Sequence, residues 1–314
     1  MSAASVTSNR MKDTPAQERN LRAGQAARLL IKQLRILAAL TKLPISISST
    51  LSAATGYVLF SHRLEPGIVS SAAGVLLAAM GACAWNQVQD HRLDAAMERT
   101  RRRPIPAGLV SPRTAFLIGA LLIGSGAWLL WVLHGAPAAV LALAAAAWYN
   151  GVYTYLKRVW AFAVVPGALI GALPPAIGWA AAGGSPLDPR IWALSFFFFI
   201  WQVPHFWLLM QVFGGEYSRA GLPSLPRLVG MRRLARLVFI WIWVTAISSL
   251  LLPAYGLTST LWAAAGLVVT AVWLGIEATR LLRDSRCPFL ATFRSINLYA
   301  LCVMSLLIFD AVLS

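Results

Sequence analysis

Three oxygen-bearing side chains, Asn86, Asp90 and Asp94, stand four residues apart in the stretch NQVQDHRLDAAMERTRRRPIPAG, Asn86 to Gly108. On an α-helix that spacing stacks them along one face. Amide and carboxylate oxygens in a row suit a hard cation such as Mg2+, which keeps several waters and takes phosphate oxygens as further ligands. Arg99, Arg101, Arg102 and Arg103 follow at once, and a guanidinium fork matches phosphate geometry. Carboxylates for a metal beside arginines for an anion are what the departure of a diphosphate requires. The other reading is a topogenic basic loop whose aspartates pair with its arginines, and Arg101 and Arg102 are taken that way. Asp90 and Asp94 are not, because acids at the end of an apolar run are costly and mark function. The chain holds only 11 Asp and Glu in all.

The elements that carry these residues must lie in a bilayer. The chain has 314 residues, 58% hydrophobic and 12% charged, about half the charge of a soluble domain. Its pattern predicts an all-α polytopic bundle of nine spans, at 43–60, 67–86, 113–133, 137–154, 160–182, 190–212, 234–253, 257–279 and 293–313. Residues 1–24 are polar, with no signal peptide, and are expected to be a mobile cytoplasmic tail. Asp13 and Glu18 argue against a mitochondrial transit peptide. Residues 25–42 mix Leu and Ile with Arg28, Lys32, Arg35 and Lys42. This predicts an amphipathic helix on the membrane surface, followed by the membrane domain at 43–314.

A net charge of +16 could suggest nucleic acid, but no nucleic-acid-binding module is present and the charges sit at the ends of apolar runs. Of 27 Lys and Arg, 25 fall in the N-terminal region or after even-numbered spans, and only Arg63 and Arg190 fall on the other side. The positive-inside rule then places the N-terminus in the cytoplasm and the C-terminus in the periplasm of a bacterial inner membrane. Cys83, Cys287 and Cys302 match no zinc or disulfide spacing and are read as apolar side chains.

Other residues could do chemistry. Glu216, after the sixth span, is either a second carboxylate facing Asp90 and Asp94 or a loop acid paired with Arg219. Lys157 and Arg158 close the fourth span, where basic residues can serve as interfacial anchors. His205 lies in a very apolar stretch, where an ionisable group points toward function, and Gln202 lies three residues before it, near the same face. Aromatic faces, such as those of Trp179, Trp201, Phe206 or Trp207, could steady a carbocation.

The string from Asn86 to Gly108 resembles the first aspartate-rich motif of the UbiA superfamily of intramembrane prenyltransferases. Later segments resemble its protoheme IX farnesyltransferase (haem O synthase) family in the same order: YTYLKR at Tyr153, GALIGALPPAIGW at Gly167, WQVPHFW at Trp201, EYSRAGLPSLPRLVG at Glu216 and FRSINLYALCVMSLLIFD at Phe293. The resemblance runs from about Lys42 to the end. Two departures stand out. Gly215-Glu216-Tyr217 replaces a segment that usually holds a lysine and an aspartate, and Pro223-Ser224-Leu225-Pro226 replaces Pro-Met-Leu-Pro.

The resemblance implies Mg2+ on Asn86, Asp90 and Asp94, and farnesyl diphosphate held by Arg99, Arg103, Lys157 and Arg158. It implies haem B as acceptor substrate near His205 and Gln202, with Arg219 near a phosphate or propionate. Haem O would be the product, and haem A synthase or terminal oxidase assembly factors the downstream partners. Two other readings stay open: prenyl transfer to a quinone or another aromatic ring, and a non-catalytic transporter or haem-handling protein with helices broken at Pro174-Pro175 and Pro204.

Overall fold

The computed structural model describes residues 15–219, 221, 223, 225–283 and 289–314, with side chains from residue 24 onward except 213–219. The described residues are helical and contain no strand. In chain order the helices are α1 (Pro15–Leu40), α2 (Leu43–Ser61), α3 (Gly67–Ala96), α4 (Pro112–His134), α5 (Ala136–Ala147), α6 (Thr154–Val159), α7 (Val164–Gly167) and α8 (Leu169–Ala181). Then come α9 (Pro189–Arg219), α10 (Leu225–Val229), α11 (Met231–Ser249), α12 (Leu251–Ala254), α13 (Leu261–Ala278), α14 (Arg280–Arg283) and α15 (Phe289–Leu313). A π-helical segment, Trp148–Tyr153, joins α5 to α6.

Among the described residues, eight helices are long and apolar enough to cross a membrane. The expected fourth span is the run α5–π–α6, helical from Ala136 to Val159 but divided by its π turn. Helix α1 begins at Pro15 rather than at residue 25, so part of the expected tail is helical. Proline interrupts neither α8 at Pro174 and Pro175 nor α9 at Pro204. The broken helices of the transporter reading are therefore absent at those positions.

Lipid tails are as apolar as leucine, so helices in a bilayer associate through close packing of small residues rather than through the hydrophobic effect. Helices α3 and α4 meet in this way. A Cβ on Gly81 would stand 2.6 Å from the Gly119 carbonyl oxygen, and one on Gly126 would stand 2.6 Å from that of Gly74. Helices α2 and α8 come closer still, with Gly178 against the Ala53 carbonyl and Gly56 against that of Pro175. These contacts set the α2–α3–α4–α8 half of the bundle, around Tyr57, Leu130 and Ile177. The other core gathers Trp179, Phe197, Ile242, Leu274 and Tyr299 from α8, α9, α11, α13 and α15.

A stability prediction follows. Gly178→Ala must push α2 and α8 apart and is expected to cost about 1–3 kcal/mol. Gly124, on α4, has open space around its Cβ position, so Gly124→Ala should be neutral or stabilise by up to about 1 kcal/mol. Thermal melts of the two variants in one detergent check the contrast.

Candidate active site

The C-terminal part of α3, residues 86–94, delivers the predicted row. Asn86, Asp90 and Asp94 are all buried, at 1%, 4% and 2% exposure. They share one face, as their spacing requires, and that face turns into the protein. Expected as metal ligands, they are engaged by cations of the chain itself. The Asp94 carboxylate accepts from Arg103 Nη1 at 2.8 and 2.7 Å through its two oxygens. The Asp90 Oδ2 pairs with Lys157 Nζ, and its Oδ1 accepts from Arg158 at 3.0 Å. Arg158 also donates to the Gln89 carbonyl at 2.8 Å.

A fourth cation comes from outside the expected set. Lys42 donates from Nζ to Asn86 Oδ1 at 2.6 Å and to the Tyr149 hydroxyl at 3.3 Å. Its backbone is left-handed (φ 48°, ψ 51°) between α1 and α2. That conformation costs a non-glycine residue about 1–2 kcal/mol, and it turns the chain into α2 at the site. Burial pulls the Lys42 ammonium down to about 8, and the like charges of Arg103 and Lys157 add to the effect.

The π turn supplies the rest. It lets the Thr154 hydroxyl donate to the Tyr149 carbonyl five residues back, at 2.8 Å, while accepting from Asn86 Nδ2 at 2.9 Å. Such π turns occur often at functional sites. Here the turn sets Tyr149 beside Lys42, and the Tyr153 ring 5.8 Å from Lys157 Nζ. Asn86 Nδ2 also donates to Asp90 Oδ2 at 3.0 Å, closing the network.

The result is a charge imbalance. Among the described residues, Arg103, Lys157 and Arg158 pair with the two carboxylates and Lys42 with the neighbouring Asn86, four cations to two acids. The acids lie deepest, at 6% and 2% side-chain exposure, with Lys157, Arg158 and Arg103 further out at 25%, 31% and 22%. An anion richer in charge than a carboxylate would satisfy this arrangement. Arg99 is exposed on the following loop, as are Arg101 and Arg102. The Glu216 and Arg219 side chains lie outside the described residues, although α9 runs through both positions.

His205 belongs to a second cluster. Its ring lies 4.7 Å from Trp201 and 4.9 Å from Phe293, centroid to centroid. Asn297 donates from Nδ2 to the Phe293 carbonyl at 2.8 Å, so its Oδ1 faces His205 Nδ1, also at 2.8 Å. An amide oxygen only accepts, which puts the ring proton on Nδ1 and leaves Nε2 with its lone pair. Gln202 packs against Gly171, where any Cβ would collide with its amide oxygen. An aromatic row joins the two clusters: Tyr149, Tyr153, Phe206 and then His205, at 6.0, 6.2 and 5.6 Å between successive rings.

The family model for the UbiA prenyltransferase family matches residues 44–299. The chain belongs to the UbiA prenyltransferase family. It is 42% identical to the protoheme IX farnesyltransferase of Geobacter sulfurreducens over 68% of this chain and 78% of that one. With the protoheme IX farnesyltransferase of Oleidesulfovibrio alaskensis it shares 34% identity over 88% of this chain and 96% of the relative. Solved structures of the same fold include a UbiA homolog from Aeropyrum pernix K1, at 20% identity and TM-score 0.67, covering 84% of this chain and 98% of that one. Another is a UbiA homolog from Archaeoglobus fulgidus bound to GPP and Mg2+, at 13% identity and TM-score 0.63, covering 89% and 100%. The chain is thus an all-α, multi-pass membrane prenyltransferase of that fold.

The donors suit a hard divalent ion: two carboxylates and one amide oxygen on a single helix face, with no thiolate or imidazole in the row. Among the described residues no three His, Cys, Asp or Glu cluster as a complete metal cage. An ion held by Asp90, Asp94 and the Asn86 oxygen would complete its shell with water and phosphate, as Mg2+ does.

Proposed function

We propose that this protein transfers the farnesyl group of farnesyl diphosphate to a vinyl group of haem B, with addition of water, giving haem O and diphosphate. The observation that carries the reading is the four-cation surround of Asp90 and Asp94. The two protoheme IX farnesyltransferase relatives support haem as acceptor.

Farnesyl diphosphate enters with its anionic head among Lys42, Arg103, Lys157 and Arg158, and its oxygens take over the hydrogen bonds that Arg103, Lys157 and Arg158 give to the two aspartates and that Lys42 gives to Asn86. The freed carboxylates and Asn86 would hold Mg2+, which when bound neutralises charge on the leaving diphosphate. Lys157 and Arg103 donate to the bridging and terminal oxygens as the C–O bond breaks, acting where charge develops. The allylic cation lies along the Tyr149–Tyr153–Phe206 row, whose π faces steady it. The vinyl electrons form the new C–C bond to farnesyl C1. Water then adds to the resulting carbocation and loses a proton, leaving a hydroxyethylfarnesyl chain. His205, through Nε2, binds the haem iron or sets the macrocycle, with Gln202 beside it. Arg99 adds positive charge at the mouth, and Glu216 with Arg219 contributes from α9.

The placement of basic residues supports an N-terminus and a site mouth on the cytoplasmic side of the inner membrane, with α1 on its surface and the C-terminus in the periplasm. Haem A synthase and oxidase assembly factors are the partners downstream.

Incubating membranes with farnesyl diphosphate and haem B, then measuring haem O by mass, tests the function. Product from a hydroxybenzoate-type acceptor but none from haem would replace the acceptor.

A pH prediction arises from Lys42. Its pKa near 8 is that of the free enzyme. Below it the ammonium is charged and attracts the diphosphate; above it that charge is lost. The kcat/KM for farnesyl diphosphate should therefore fall by about tenfold per unit at most above pH 8. Lys42→Arg, which stays charged, should show a flat limb there. An unchanged limb in that variant would remove Lys42 from the binding step.

A further inference from the structure

A groove of about 530 Å³ lies between α1 and the loop that follows α3, apart from the Asp90 and Asp94 cluster. Arg28, Lys32 and Arg35 line it from α1, and Arg102 lines it from the loop. No acid is among its lining residues. Among the described residues no hydrogen bond or ion pair engages any of the four cationic side chains. Like charges do not gather at one opening, unpaired, without a cost in repulsion. Among the described residues, none supplies the counter-charge.

The walls restrict what can supply it. Ile31, Ile36 and Leu109 give the groove an apolar side. The apolar surface continues along α1 as Leu34 and Leu30, one turn apart and each more than half exposed. A helix with one exposed apolar stripe and a row of cations lies in the headgroup layer, its stripe toward the acyl chains. An inorganic anion has no use for apolar walls. A nucleic acid would need a basic surface open to water, not one continuous with a lipid-facing stripe.

We propose that this groove binds the headgroup of an anionic phospholipid, with its phosphate on Arg28, Lys32, Arg35 and Arg102 and its acyl chains along Ile31 and Leu109. The four positive charges fit a lipid with two phosphates better than one with a single phosphate.

The site has a route to the reaction centre. Arg102 precedes Arg103, which holds Asp94. Gln87, on α3, donates to the Ala39 and Leu40 carbonyls at the end of α1, at 2.7 and 2.9 Å. A bound headgroup thus braces α1 and the arginine loop against the end of α3.

The test is native mass spectrometry of the full-length protein from detergent, titrated with cardiolipin, phosphatidylglycerol or phosphatidylcholine. Each basic side chain near an anionic headgroup is worth about fivefold in affinity. The triple variant Arg28→Gln, Lys32→Gln, Arg35→Gln should therefore bind cardiolipin about a hundredfold more weakly. The matched triple Arg232→Gln, Arg233→Gln, Arg236→Gln removes as many charges from the exposed start of α11 and should retain wild-type affinity. The inference is overturned if the two triples lose binding alike, if phosphatidylcholine binds as tightly as cardiolipin, or if inorganic phosphate at equal concentration displaces the lipid. Should the first triple fail to insert, Arg102→Gln on the facing wall replaces it, with an expected loss of about fivefold; no loss there overturns the site equally.

Discussion

Asp90→Asn is expected to lower kcat by about 10³-fold while the affinity for farnesyl diphosphate stays the same or rises. The asymmetry follows from charge. Among the described residues, Asp90 is one of two acids beside four cations, and it accepts from Lys157, Arg158 and Asn86. Neutralising it leaves the cations in place and frees them for the diphosphate, so binding does not suffer. What disappears is the anionic oxygen that would hold the metal as negative charge grows on the leaving group. A merely structural aspartate would behave differently, with binding and turnover declining together. The variant should remain inserted with a modest drop in melting temperature, because Lys157 and Arg158 are a quarter to a third exposed and water screens their unpaired charge. Single-turnover rates and equilibrium binding of a non-hydrolysable farnesyl diphosphate analogue separate the two quantities.

Lys157→Met is expected to do the reverse to binding. A charge-assisted hydrogen bond is worth about 1.5–3 kcal/mol, so affinity for the diphosphate should fall by about 10- to 150-fold, with a further loss in kcat. Asp90 keeps Arg158 as a partner at 3.0 Å and is not left as a bare buried charge. Lys157→Arg should recover only part of the loss, since a planar fork cannot occupy the place of a compact ammonium on Oδ2. Raising the salt concentration should shrink the difference between wild type and Lys157→Met, whereas the Asp90→Asn defect should persist.

The acidic face of α3 is legible in the sequence because its logic is local. Four-residue spacing fixes a helix face whatever surrounds it, and Asn86, Asp90 and Asp94 do share one. Lys157 and Arg158 were visible as cations but not as partners of Asp90, since nothing in the chain announces a contact across 67 residues. The pattern assigns Lys42 to the amphipathic surface helix for the same reason. Its partner Asn86 is remote in sequence, and its left-handed backbone leaves no mark in a lysine codon of the pattern. The π turn was missed because apolar periodicity assumes 3.6 residues per turn, and a single wide turn leaves the count of apolar residues intact. Tyr149, Tyr153 and Thr154 owe their places to it. The same turn explains why nine spans are expected where, among the described residues, eight helices are long and apolar enough to cross and a ninth run is divided by it. Helix α1 starts early because Ala, Gln, Glu and Arg favour helix even without an apolar stripe.

Diphosphate released per haem O formed, in purified Asp94→Asn against wild type, tests the account most directly. Wild-type protein supplied with farnesyl diphosphate, haem B and Mg2+ should release one diphosphate for each haem O, and Asp94→Asn should yield neither above background although it still binds farnesyl diphosphate. Haem O and diphosphate formed by Asp94→Asn at the wild-type rate would contradict it.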